Sequence, residues 1–211
     1  MTKCLLILLI FLLTGCSSSE TAEDTNSQTS RLSTTEENIV SENLSNSASE
    51  QTSTPTPFTP VQLATYSTKI YTKTEERQNN VRIACEELNG TTVAPGETFS
   101  FTDTLGPANP EEGYQKAETF DKNGEIIQEY GGGKCQISST LYNAVLAVPT
   151  LTVVERHEHS NDVPYVEEGK DAAVSFGSVD FKFRNDNSYT IRIDASCTED
   201  DITVSIYQIE K

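Results

Sequence analysis

The stretch Gly131-Gly132-Gly133-Lys134-Cys135-Gln136-Ile137-Ser138-Ser139-Thr140 is the part of the sequence best equipped for chemistry. Three consecutive glycines let the backbone turn, or approach another molecule, where side chains would collide. They deliver Cys135 to the first turn of the helix expected to follow. There the unpaired N–H groups and the helix dipole favour a thiolate, and Lys134 beside it acts in the same direction. The same N–H groups would receive the negative charge that develops on a carbonyl oxygen under attack. A cysteine nucleophile needs a base, and the chain has two histidines, His157 and His159. Residues two apart share a face of an extended strand, so both rings are expected to point the same way. Asp171 and Asp180, at or near later strands, are the candidates to hold the imidazole in the right tautomer. The chemistry this set supports is acyl transfer: Cys135 attacks an amide, one histidine shuttles the proton and one aspartate orients it.

The same residues admit blander uses. Cysteine is among the most buried residue types, and a packed thiol at a helix start is an ordinary structural feature. His157-Glu158-His159 offers two zinc-type ligands, completed by Cys135 or Glu155, yet ligands at i and i+2 with a distant third fall short of a zinc spacing. No metal and no cofactor is therefore expected. The alternative to an enzyme is a binding module, in which Gly131, Gly132, Gly133, Gln136, Tyr142 and the histidine pair line a groove while Cys135 packs. Ser138, Ser139 and Thr140 read as capping or packing residues. Cys85 and Cys197 either pair in an oxidising compartment or remain separate buried thiols.

These groups need elements to hold them. Glu75 to Leu88 reads as a helix, with Val81, Ala84, Cys85 and Leu88 on one stripe, Thr74 as cap and Gly90 as stop. Pro95-Gly96 marks a turn before the alternating aromatics Phe99 and Phe101. Lys116–Phe120 and Glu125–Tyr130 flank Asn123-Gly124, the favoured tight-turn dipeptide, and predict a hairpin. Cys135 to about Val148 carries a second apolar stripe, ended by Pro149. Strands are expected over Leu151–His159, Ala172–Phe176, Val179–Arg184, Tyr189–Ala195 and Ile202–Ile209. Helices followed by a run of strands make an α+β domain with a mostly antiparallel sheet. Its order of cysteine helix and following strands is similar to that of transglutaminase-like and papain-like cysteine enzymes.

Composition sets the surroundings. Of 211 residues, 32 are acidic and 15 basic, for a net charge of −17. Such a surface repels phosphate, which excludes nucleic acid as a partner. Lys3, the apolar run Cys4 to Leu13, and Leu13-Thr14-Gly15-Cys16 have the layout of an export signal, too short to span a bilayer as a mature helix. The last four of these resemble the lipobox of bacterial lipoproteins. By that resemblance residues 1–15 are a signal peptide and Cys16 becomes the lipidated, palmitate-bearing N-terminus, anchored to the extracytoplasmic face of the cell membrane. Residues 16–60 are rich in Ser, Thr and Glu and bury too little apolar surface to fold, so they form a tether to a domain over 61–211.

Pro95-Gly96-Glu97-Thr98-Phe99-Ser100-Phe101, Gly106-Pro107, Gly113-Tyr114, the Gly131–Ala144 stretch, Glu155-Arg156-His157-Glu158-His159-Ser160, Gly169-Lys170-Asp171-Ala172 and Asp180-Phe181-Lys182-Phe183-Arg184-Asn185 together resemble the VanW family. The family is named for an accessory protein of vancomycin B-type resistance clusters. The resemblance implies an extracytoplasmic protein of the bacterial cell envelope, with peptidoglycan or its precursors as partner and a wall peptide or its amide cross-links as substrate class. Lys134 stands where the family more usually has an apolar residue.

Overall fold

Every second residue along Ile191-Ile193-Ala195 and along Ile202-Val204-Ile206 is buried, so two neighbouring strands give one whole face to the core. The structure, a computed structural model, describes residues 58–121 and 123–210. The proposed signal peptide, Cys16 and nearly all of the proposed tether lie outside the described residues. In chain order, strand β1 (Val61–Lys69) precedes helix α1 (Glu75–Leu88). Strands β2 (Thr91–Val93) and β3 (Thr98–Ser100) lead to a short helix α2 (Phe101–Leu105). The hairpin β4 (Lys116–Phe120) and β5 (Ile126–Tyr130) precedes α3 (Lys134–Leu146), and β6 (Leu151–Glu155), β7 (Lys182–Asn185), β8 (Ile191–Cys197) and β9 (Asp201–Gln208) complete the domain.

All strand pairs are antiparallel. They form a four-stranded sheet in the order β1-β9-β8-β2, a three-stranded sheet β3-β7-β6, and the separate hairpin. The architecture is α+β. Helices α1 and α3 lay their apolar stripes, Val81, Ala84, Cys85 and Leu88 on one and Ile137, Leu141, Ala144 and Val145 on the other, into the core shared with β8 and β9. The Thr74 hydroxyl accepts from the Arg77 N–H at the start of α1, with Glu75 and Glu76 in the first turn. In the hairpin, Gly124 adopts a positive φ of 81° and the Asp121 carboxylate accepts the N–H groups of Asn123 and Glu125, as an Asn-Gly turn requires.

Three strand expectations are corrected. The strand from Leu151 ends at Glu155, short of both histidines, after an irregularity between Val153 and Glu155 in its pairing with β7. Ala172–Phe176 is not a strand, apart from a single bridge between Ser175 and Val179 around Gly177. The physical reason is that α3 satisfies this backbone instead: the Ala172 N–H donates to Ser139 Oγ at 2.9 Å, the Ser138 hydroxyl donates to the Ala172 carbonyl, and Asn143 Nδ2 donates to the Lys170 carbonyl at 2.7 Å. The strand expected from Val179 starts at Lys182, because Asp180 and Phe181 are engaged with α2.

The turn after β7 rests on Asn185, fully buried, whose Nδ2 donates to the Val93 and Tyr189 carbonyls at 2.9 Å each and whose Oδ1 accepts from Asn187. Asn185→Ala leaves these buried groups without partners and should lower unfolding stability by about 2–4 kcal/mol, measured by urea denaturation with an unchanged m-value.

Candidate functional site

Gly132 has no room for a side chain: a Cβ there would lie 2.9 Å from the Ala117 and Glu118 carbonyl oxygens of β4. Gly133 caps α3 at a φ of 121°, and a Cβ on it would meet Val81 of α1 at 2.8 Å. The glycines thus allow the N-terminus of α3 to wedge between the hairpin and α1, which fixes the height of Cys135 in the first turn. Cys135 is half-buried, and its sulfur lies 3.4 Å from the Val174 carbonyl oxygen. The neighbouring amides are spent, Lys134 N–H on Gly131 O and Gln136 N–H on Gly133 O. Among the described residues the Cys135 N–H has no acceptor.

The chain from Arg156 to Val174 closes over this helix end. Ser138, Ser139 and Asn143 clasp residues 170–172, and that clasp brings Asp171 alongside His159. Asp171 Oδ2 accepts from the His159 backbone N–H at 2.7 Å and meets His159 Nδ1 at 2.6 Å. Arg156 holds the same residue twice, Nη2 to Asp171 Oδ1 at 2.7 Å and Nε to its carbonyl at 2.6 Å. Both side chains of this pair are withdrawn from water, with 9% of the His159 side chain and 10% of the Asp171 side chain exposed. His159 in turn lies close enough to Cys135 for each to shift the other's proton affinity. With Nδ1 committed to Asp171, Nε2 is the nitrogen left for proton exchange. His159 therefore neighbours both the Cys135 sulfur and the Asp171 carboxylate.

The charges follow from this arrangement. Burial pushes the Cys135 thiol up, but the neighbouring His159 imidazole and the nearby Arg77 guanidinium outweigh burial, and its pKa falls below the ordinary cysteine value. Burial pulls His159 down, yet the sulfur and the Asp171 carboxylate raise it above the usual histidine value. Asp171 is raised by burial and lowered further by the His159 donors and Arg156, ending below the usual carboxylate range. The directions are those of a thiolate–imidazolium pair steadied by a carboxylate. For folding, the contribution of Asp171 is present above about pH 4 and is lost as pH falls through its depressed pKa. That of His159 is full below about pH 6.5 and is lost as pH rises through its elevated one.

Other sequence candidates lie elsewhere. His157 does not share a strand face with His159; its Nε2 meets Glu155 Oε1 at 2.9 Å and the ring is largely exposed. Asp180 accepts the Thr102 N–H at 2.9 Å, the Phe181 N–H at 2.8 Å and the Ser100 hydroxyl, and so anchors α2. Lys134 turns away from the sulfur, donating to the Gly106 carbonyl at 2.9 Å and lying over the Tyr114 ring at 4.7 Å. The cation that acts on the thiol is Arg77. Gln136 is buried, donating to Thr68 Oγ1 and the Lys69 carbonyl and accepting from Arg77 Nη2. Tyr142 packs edge-on against Phe181 with Arg156 above its ring. Of the proposed ligand-binding residues, Gly131, Gly132 and Gly133 line a cavity of about 340 Å³ that opens on Cys135, together with Tyr130, Val174 and Phe176. Gln136 faces a second cavity of about 170 Å³ with Arg77 and Tyr165. Among the described residues no group of His, Cys, Asp and Glu is arranged to hold a metal ion, and no helix is long and apolar enough to cross a membrane.

Sequence reasoning missed Arg156, Arg77 and Tyr165. Tyr165 stands edge-on to His159 with centroids 6.5 Å apart, and burial pushes its pKa up. Arg156 alone had a signal, since it sits beside the histidine pair in the chain.

Residues 76–207, which hold all of these groups, match the family described as VanW like protein. The chain belongs to the VanW family. It is 37% identical over 146 residues to the uncharacterized protein YoaR of Bacillus subtilis (strain 168), a match covering 69% of this chain and 48% of that one. To the vancomycin B-type resistance protein VanW of Enterococcus faecalis (strain ATCC 700802 / V583) it is 33% identical over 138 residues, covering 63% and 50%. The chain spans about half the length of these curated VanW relatives. No solved structure matches it.

The site makes a titration testable. Alkylation of Cys135 by iodoacetamide, read by mass spectrometry on the tryptic peptide Cys135–Arg156 that holds no other cysteine, should reach half its maximal rate below about pH 8.5, the free-cysteine value. His159→Ala should move that midpoint upward; an unchanged midpoint would show that the imidazole does not hold the thiolate.

Proposed function

We propose that this VanW-family protein is a cysteine-dependent acyl-transfer enzyme of the cell envelope, acting on amide bonds of peptidoglycan peptides. The observation that carries the reading is Cys135 on the wall of a 340 Å³ cavity, with His159 near its sulfur and Asp171 bonded to that imidazole. The Cys135 thiolate attacks the carbonyl carbon of the amide, and the carbonyl oxygen, now negative, takes the free Cys135 N–H. The His159 imidazolium gives its proton to the departing nitrogen, the C–N bond breaks, and a thioester to Cys135 remains. Water or an amine then attacks the thioester while His159 takes up its proton, and the sulfur leaves as thiolate. With water the result is hydrolysis; with an amine it is transpeptidation. Asp171, held by Arg156, keeps Nδ1 protonated and steadies the imidazolium throughout.

Wall peptides as substrates are supported by the relative named for vancomycin B-type resistance and by the export and lipobox layout of residues 1–16. A peptide enters along the cavity wall of Tyr130 and Phe176, large apolar side chains that stand exposed at 44% and 56%. Cys16 places the domain outside the membrane on its tether.

Purified protein incubated with short muropeptides and followed by mass spectrometry should give cleaved or cross-linked products, with kcat/KM bell-shaped in pH between the lowered thiol and raised imidazole pKa values. Cys135→Ala should abolish turnover and His159→Ala should lower it by about 10²–10⁴-fold. Products formed equally by Cys135→Ala would refute the nucleophile. In cells, Cys16→Ala should end both palmitate labelling and membrane retention; labelling that persists would rule out the anchor.

A further inference from the structure

Two cysteines take no part in the site, and the fold sets them face to face. The end of α1 is fastened to β8: the Ala195 N–H donates to Asn89 Oδ1 at 3.1 Å, and the Gly90 N–H donates to the Ile193 carbonyl at 2.8 Å. From that fastening α1 runs back as β8 runs on. Four residues up the helix, about 6 Å, leads to Cys85, and two residues along the strand, about 6.7 Å, leads to Cys197. Both side chains turn to the same core, Cys85 within it and Cys197 packed against it, close enough for each thiol to shift the other's proton affinity. Cys85 is buried in the core and Cys197, at the strand end, is partly open.

We propose that Cys85 and Cys197 close a disulfide that ties α1 to β8 and leaves Cys135 as the reduced thiol of the domain. The oxidant is a small-molecule disulfide or an oxidised dithiol protein. Cys197 is the entry point: the neighbouring Cys85 thiol and the nearby Arg82 hold its pKa down to about 7, and it is the more accessible sulfur. Its thiolate attacks one sulfur of the oxidant and expels the other as a thiolate, forming a mixed disulfide. Cys85 then loses its proton to solvent and attacks the Cys197 sulfur, expelling the second oxidant thiolate. Two protein thiols are oxidised and one disulfide is reduced to two thiols. The bond closes a loop of roughly 110 residues, from the last turn of the first helix to the penultimate strand's end, which constrains the unfolded chain strongly.

The test uses the full chain equilibrated with glutathione disulfide, alkylated and digested with trypsin without reduction. The expected product is peptide Ile83–Lys116 joined to Ile193–Lys211, lighter by two hydrogens than the two thiol peptides together. The oxidised protein should melt about 5 °C or more above the reduced protein, and Cys197→Ser, altered at a partly open position, should lose this dependence on reductant. Both cysteines recovered as alkylated thiols, a link that includes Cys135, or a melting temperature indifferent to reductant would each overturn the proposal. None of these readouts depends on turnover at Cys135, so the pairing stands or falls separately from the enzymatic reading.

Discussion

A carboxylate withdrawn from water has to collect donors, and Asp171 collects them from both directions along the chain: the backbone and ring of His159 on one side and the Arg156 guanidinium on the other. This one group makes the segment from Arg156 to Asp171 return on itself. Without it, nothing in the local sequence would keep a histidine beyond the end of β6 aimed at a helix in another part of the fold. The carboxylate is itself held in place from α3, whose Ser138, Ser139 and Asn143 bind the backbone at residues 170–172. The helix that presents the sulfur therefore also positions the groups that polarise it. Cys135 and its partners are referenced to a single rigid element.

That economy explains residues with otherwise odd placement. A helix whose first three turns hold buried Gln136, Ser138, Ser139, Thr140 and Asn143 spends core surface on polar side chains. Each is satisfied by a bond across to another segment: Gln136 to β1 and Arg77, Thr140 to Thr68, and the serines and Asn143 to the loop. The pattern trades apolar burial for directionality. Hydrophobic contacts would let α3 slide or rotate by fractions of a turn, whereas these bonds fix both its depth and its rotation about its axis. Proton transfer between sulfur and imidazole tolerates little variation in distance, so directional packing belongs under such a site.

How much of this was legible in the sequence depended on the range of the interaction. The helix over Glu75–Leu88, the hairpin at Asn123-Gly124 and the glycine delivery of Cys135 to a helix start were readable because periodicity and turn chemistry act within a few residues. Choosing between His157 and His159, or between Asp171 and Asp180, was not: the choice is made by Ser138, Ser139 and Asn143 acting across some thirty residues of chain. The expected strand over Ala172–Phe176 failed for the same reason. Its apolar alternation fits a strand, but its hydrogen bonds are taken by helix side chains rather than by a neighbouring strand. Lys134 was credited with a charge effect from adjacency alone, whereas Arg77, nearly sixty residues earlier, supplies it. Strand β1 carried too weak an apolar alternation to be called, with two of its nine residues buried.

The two halves of α1 answer to different demands. Its first turns present Arg77 and Val81 to the glycine-capped start of α3, and so form part of the wall behind the sulfur. Its last turns carry Cys85 and Leu88 against β8, where Asn89 and Gly90 are pinned to the strand. A helix fixed at its far end can hold its near end at constant distance from the site only if it does not pivot. The Asn89 and Gly90 bonds form one fulcrum close to the helix end, and a link at Cys85 adds a second about a turn further in. Two fixed points along one axis remove the pivot that a single one leaves free. The sulfur pair far from Cys135 thereby acts on the same constraint as the glycine triplet beside it, which is the placement of the first turn of α3.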